Sequence, residues 1–115
     1  MTDPADHLLR TRNRQVRRVM FEWGADLAKM HEIEHFFLMS DRRRAEALAQ
    51  AAQALGYQVG EIHEQEGDHE TPLSLVITTK ACPDSDELDQ QTIRMAQLAT
   101  EYECTYDGWG TLIDE

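Results

Sequence analysis

The order of apolar patterns along these 115 residues predicts an α+β protein, a ferredoxin-like β-α-β-β-α-β sandwich with a four-stranded antiparallel sheet and an additional N-terminal helix. Three observations carry that expectation. Period-two alternation recurs at residues 29–39, 57–62 and 73–80, and a final strand is read at 104–113. Apolar residues at helical spacing fill the gap after the first of these segments and the gap before the last. Gly24 and Gly56 stand where two helices need a left-handed stop. The length suits one domain over 1–115, with a helix at 1–24 and the sandwich at 25–115.

The leading helix starts near Thr2 or Asp3, with Pro4 at a position where a missing N–H costs nothing, and ends at Gly24. Leu9, Val16, Met20 and Trp23 share one face, and Arg10, Arg14 and Arg17 lie beside it. That basic edge is suited to meeting acidic groups of the same chain. The helix itself is expected to cover the open sheet face or an edge.

In the first strand, Ile33, His35, Phe37 and Met39 share one face, while Glu32, Glu34, Phe36 and Leu38 share the other. Its far end therefore reads as buried on both sides. Ser40 or Asp41 caps a second helix whose buried stripe is Ala45, Leu48, Ala52 and Leu55. A second strand at 57–62 leads into an acidic loop at 64–71. The third strand sets Leu73, Leu75, Ile77 and Thr79 against Ser74, Val76, Thr78 and Lys80, and Pro83 ends it. Asp84 with Glu87 makes a capping box for a helix running to about Glu101, with Leu88, Met95, Ala99 and Tyr102 on its core side.

The net charge of −11 is unevenly spread: residues 1–44 hold nine basic and seven acidic side chains, and the remainder holds two and fifteen. A field of that sign opposes direct contact with nucleic-acid phosphates and favours a basic protein partner. No apolar run resembles a signal peptide or membrane span, so the expected compartment is the cytoplasm. Cys82 and Cys104 read as reduced thiols.

Catalytic and metal-binding patterns are weak. His31 and His35 share a strand face without a recognised ligand spacing, so no metal or other cofactor is expected. Glu34 and His35, as neighbours on a strand, face opposite ways and cannot act as an acid–base pair. Ser74 and Thr78 lack the surroundings of an activated nucleophile. The chain reads as a non-enzyme.

Residues 106–111, Tyr-Asp-Gly-Trp-Gly-Thr, differ in kind, because Gly108 and Gly110 bracket a large aromatic inside a strand. A bulge or a close backbone approach is the expected cause. Two roles are open for the segment. Tyr106, Asp107 and Trp109 could hold a cationic side chain of a partner, or Trp109 could be a core anchor with Asp107 bonding a turn amide.

With Ile33-Glu34-His35 upstream, and with the Tyr106, Asp107, Gly108, Trp109, Gly110, Thr111 string in the last strand, the chain resembles the family of regulators of ribonuclease E activity B. The alanine-rich helix closing in Leu55-Gly56-Tyr57 fits the same pattern. The resemblance implies a ferredoxin-like fold with an extra helix and inhibition of ribonuclease E, or of another nuclease assembly, by protein–protein contact. Arg42, Arg43 and Arg44 depart from the family's acidic helix start. On the resemblance and the charge together, the partner surface is expected at Tyr106, Asp107 and Trp109 and at the acidic residues Glu61, Glu64, Glu66, Asp68 and Glu70. The alternative is a small-molecule-sensing domain with a pocket between the open sheet and the first helix, or an interaction domain of an unrelated pathway.

Overall fold

The computed structural model describes residues 4–64, 71–83 and 86–111. Three helices and a five-stranded antiparallel sheet follow the order α1 (Pro4–Glu22), β1 (His31–Met39), α2 (Arg42–Ala54), β2 (Gln58–Val59), β3 (His63–Glu64), β4 (Leu73–Ala81), α3 (Asp86–Glu101) and β5 (Thr105–Gly110). The strands lie in the order β2-β4-β1-β5, with β3 also paired to β4. Because β1 occupies one side of β4 from Leu73 to Ala81, β2 and β3 share its other side. The expected second strand is thus two short pieces. Between them the Gly60 N–H still bonds the Val76 carbonyl at 2.9 Å, so the chain stays on the edge of β4 while the ladder breaks.

Alternation on the two central strands decides which face is covered. Ile33, His35, Phe37 and Met39 of β1 are buried, as are Leu73, Leu75, Ile77, Thr79 and Ala81 of β4. Against them pack Ala45, Leu48 and Ala52 of α2 and Met95, Leu98 and Ala99 of α3. The opposite face carries no helix among the described residues. Burial of β1 on both sides therefore does not occur: Phe36 is 37% exposed.

Each helix ends by the same device, in which the second residue past the C-cap bonds back to the third-last helical carbonyl. Ala25 N–H reaches Met20 O at 3.0 Å, Tyr57 reaches Ala52 at 3.0 Å, and Cys104 reaches Ala99 at 2.7 Å. Gly24 and Gly56 supply the left-handed residue for the first two. The third uses Glu103 at φ 56°. Its carboxylate accepts two bonds from Arg44, at 2.9 and 3.1 Å, which tie the end of α3 to the start of α2.

Asp41 caps α2 by accepting from the Arg44 N–H at 2.9 Å. Asp84 of the expected second capping box lies outside the described residues. Of the two positions expected for helix α1, the open face and an edge, it takes the edge: it packs on α3, on the helix-bearing side, beside the edge strand β5. Trp23, expected on its buried face, follows the last helical residue and is 75% exposed. Leu55 of α2 is likewise exposed, because it has become the C-cap.

Candidate functional site

The Tyr106 to Gly110 segment forms the outer strand, and its register against β1 slips by one residue. Phe37 pairs with Tyr106 and His35 with Trp109, so three steps on β5 match two on β1. Gly108, at φ 101°, absorbs the extra residue. The consequence is geometric. Tyr106 and Trp109, an odd number apart, both turn toward the helix layer.

Tyr106 packs on Phe37 with ring centroids 5.3 Å apart, and its hydroxyl lies 2.9 Å from His35 Nδ1. On the other side His35 Nε2 stands 2.9 Å from Thr79 Oγ1. The direction of every proton in this line follows from its end. Gln91 Nε2 donates to the Lys80 carbonyl at 3.0 Å, so Gln91 presents its oxygen to the Thr79 hydroxyl, which donates at 2.8 Å. Thr79 must then accept from His35 Nε2–H, and Tyr106 O–H must donate to His35 Nδ1. One neutral tautomer satisfies the line. Burial lowers the His35 pKa from 6.5 to about 4 and raises that of the Tyr106 phenol, which keeps both uncharged.

Trp109 packs against Ile33, Ala81 and Leu88. Its indole N–H donates to Asn13 Oδ1 of α1 at 2.7 Å. Asn13, almost wholly buried, spends its two amide protons on Asp89 Oδ1 at 2.9 Å and Thr92 Oγ1 at 2.8 Å, both on α3. Asp89 also receives Arg17 at 2.9 Å and Arg10 at 3.3 Å. Arg17 reaches the Pro83 carbonyl as well. Two arginines of the basic edge thus meet acids of the same chain, while Arg14 is exposed. A hydrogen bond from Arg10, and then one from Gln90, holds the Asp86 carboxyl below its usual range.

Sequence reasoning missed Asn13, Asp89 and Thr92. The signal was present: Asn13 interrupts the apolar row Leu9, Val16, Met20 at a position of the same helical face. A buried asparagine there needs partners from outside its own helix.

Of the expected partner surface, Tyr106 and Trp109 therefore point inward and serve the fold, and Asp107 is exposed. Glu61 and Glu64 are also exposed, but beside β4, on the opposite edge of the sheet. Three strand spacings, roughly 14 Å, separate that edge from β5. Glu66, Asp68 and Glu70 lie outside the described residues. Among the motif positions, Ile33 and His35 are fully buried, Glu34 is half-buried on the open face, and Thr111 Oγ1 bonds the Glu32 carbonyl at 2.6 Å. Gly108 approaches α1 so closely that a Cβ would stand 3.4 Å from the Arg12 guanidinium, and Gly110 lies beside Phe36.

Other chemistry finds little support in this geometry. Both His35 nitrogens are engaged within the core, and His31 Nε2 lies 2.8 Å from the Asp26 carbonyl. Cys82 and Cys104, both half-buried, are not joined in a disulfide. The ligand pocket expected between open sheet and first helix has no place, since α1 sits on the other side. The cleft between α1 and β5 has a volume of about 100 Å³, below the roughly 300 Å³ at which small-molecule sites begin.

Fold and motif together define a small acidic α+β protein whose most distinctive residues lock a leading helix onto the last strand. The family described as Regulator of ribonuclease activity B matches residues 10–111, and the chain belongs to that family. It is similar to the Regulator of ribonuclease activity B of Pseudoalteromonas translucida (strain TAC 125), 36% identical over 97 residues that cover 84% of this chain and 87% of that protein. The same-named protein of Idiomarina loihiensis is 32% identical, covering 93% of this chain and 84% of the relative. That of Escherichia coli (strain K12) is 29% identical, covering 92% and 78%.

Proposed function

We propose that this chain is a non-catalytic regulator that binds ribonuclease E, or another nuclease assembly, and modulates RNA degradation without acting on RNA. The carrying observation is family membership joined to the charge distribution, in which residues beyond 44 hold fifteen acidic side chains and two basic ones. A nuclease must present basic segments to hold RNA, and an acidic protein competes for them. Charge steers the encounter and is read out as salt dependence.

Asp107, Glu61, Glu64, Glu66, Asp68 and Glu70 are proposed as contacting carboxylates, with Tyr106 and Trp109 supporting the surface from within. The whole of 1–115 acts as one domain in the cytoplasm, where such a nuclease meets its transcripts. Reading β2 and β3 as halves of one interrupted strand makes the architecture ferredoxin-like, since the order then becomes second, third, first, fourth. No helix among the described residues is long and apolar enough to cross a membrane.

Purified full-length chain and ribonuclease E at low salt provide the test, with affinity and RNA cleavage measured together. Binding that weakens as salt rises, and that falls with Glu61→Lys plus Glu64→Lys, is the expected result. Absence of binding at low salt overturns the partner.

A further inference from the structure

The sheet face that carries no helix among the described residues holds a notch that the regulatory reading leaves unused. Glu32, Glu34, Phe36 and Leu38 of β1 lie on it, with Ser74, Val76, Thr78 and Lys80 of β4. At its centre Phe36 pairs in register with Val76 and remains 37% exposed. On its other side stands Gly110, where an added Cβ would lie 3.5 Å from Phe36 Cε2. Any larger residue at 110 would cover that edge of the ring.

Glu34 also neighbours this glycine, pairing with Gly110 on β5 and with Thr78 on β4. Among the described residues its carboxylate has no ion-pair partner within salt-bridge distance. Glu32 has Lys80 as its register partner, whereas Glu34 faces no cation across either ladder. Residues two apart on one strand face stand about 7 Å from each other. An aromatic ring and an unpaired carboxylate are therefore within reach of one planar cation.

We propose that Phe36 and Glu34, with Gly110 as the open side of the notch, seat an arginine side chain from a basic segment of a partner protein. The guanidinium stacks on the ring and donates to the carboxylate, which one flat group can do at once. A net charge of −11 draws basic segments toward the protein and opposes a strand of RNA at the same place. The proposal deepens the regulatory reading and rests on it only for the identity of the partner.

Fluorescence anisotropy with the full chain tests it, using a labelled peptide of alternating arginine and glycine, its lysine counterpart and a single-stranded RNA. The arginine peptide binds more tightly than the lysine peptide, and RNA binds weakest. Phe36→Leu and Glu34→Gln each weaken the arginine peptide roughly fivefold, and Gly110→Val, which screens the ring, does the same. Phe36 and Glu34 lie outside the buried core, and unchanged melting curves for their variants secure the comparison. Equal affinity in both of these variants, or preference for RNA, overturns the seat. The two readings fail separately. If the intact chain ignores ribonuclease E while the arginine peptide still depends on Glu34 and Phe36, the partner falls and the seat stands. If ribonuclease E and the peptide both bind Glu34→Gln and Phe36→Leu as they bind the unaltered chain, the seat falls and the regulatory reading stands.

Discussion

At one edge of the sheet, β5 is bound to β1 over a bulge, roofed by α1 and joined to α3 through Asn13 and Asp89. At the other edge, β2 and β3 are two-residue fragments, and Glu61 between them and Glu64 of β3 stand in solvent. The contrast separates two uses of unusual sequence. Tyr106, Gly108 and Trp109 sit where the fold uses them, whereas Asp107 on this edge and Glu61 and Glu64 on the far edge stand in solvent.

If the β5 edge is structural, damage there must appear first as lost stability. Trp109→Ala removes a ring packed on Ile33, Ala81 and Leu88 and leaves Asn13 without its indole donor. The expected cost is about 3–5 kcal/mol, measured by urea denaturation. A cost under about 1 kcal/mol, typical of surface positions, would return Trp109 to the partner surface.

The buried line from Tyr106 to Gln91 gives the second test, by pH. His35 is neutral in the fold with a pKa of about 4, against 6.5 when unfolded. Above the higher value both states are neutral, and stability owes no pH dependence to His35. Between the two values only the unfolded chain takes up the proton, so stability falls by about 1.4 kcal/mol per pH unit, roughly 3 kcal/mol in all. His35→Gln should lose that slope across this window, and an unchanged slope would show that His35 is accessible to protons in the fold.

Asn13→Leu keeps the size of the side chain but strands the Trp109 indole N–H and removes the donor to both Asp89 and Thr92 on α3. Each buried group left unpaired costs about 1–3 kcal/mol, and relief where water reaches the node brings the expected total to about 2 kcal/mol. The loss should shrink when Trp109 is already alanine, because the two share a bond. Additive losses would mean that α1 is held by its apolar row alone.

How much of this was legible follows from where the information sits. Alternation through Leu73 to Lys80 and the stops at Gly24 and Gly56 are local, and the structure bears them out, with the strand one residue longer, to Ala81. The bulge was also legible, since glycines around a tryptophan in a strand have few other uses. The end of α3 was hidden, because Glu103 takes a conformation that its residue type does not advertise and is held by Arg44 from another helix. The seating of α1 on α3 was hidden for the same reason: Asn13 declares a need for partners but not which ones. The separation of Asp107 from Glu61 and Glu64 depends wholly on strand order, which no single segment encodes.

The smallest structural effect belongs to the far edge, and it sharpens the comparison most. Glu61→Gln with Glu64→Gln removes two exposed carboxylates that have no ion-pair partner among the described residues, so stability should move by less than about 0.5 kcal/mol. Binding to a basic nuclease segment should nevertheless weaken, with a shallower dependence on salt, because fewer ions are exchanged on contact. Trp109→Phe provides the mirror image: the ring is largely kept, the bond to Asn13 is lost, and stability should fall while salt dependence stays the same. A pair of variants that divides stability from salt-dependent binding in this way assigns one edge to the fold and the other to the partner. If both properties move together in both variants, the two edges are coupled through the sheet, and the division between them fails.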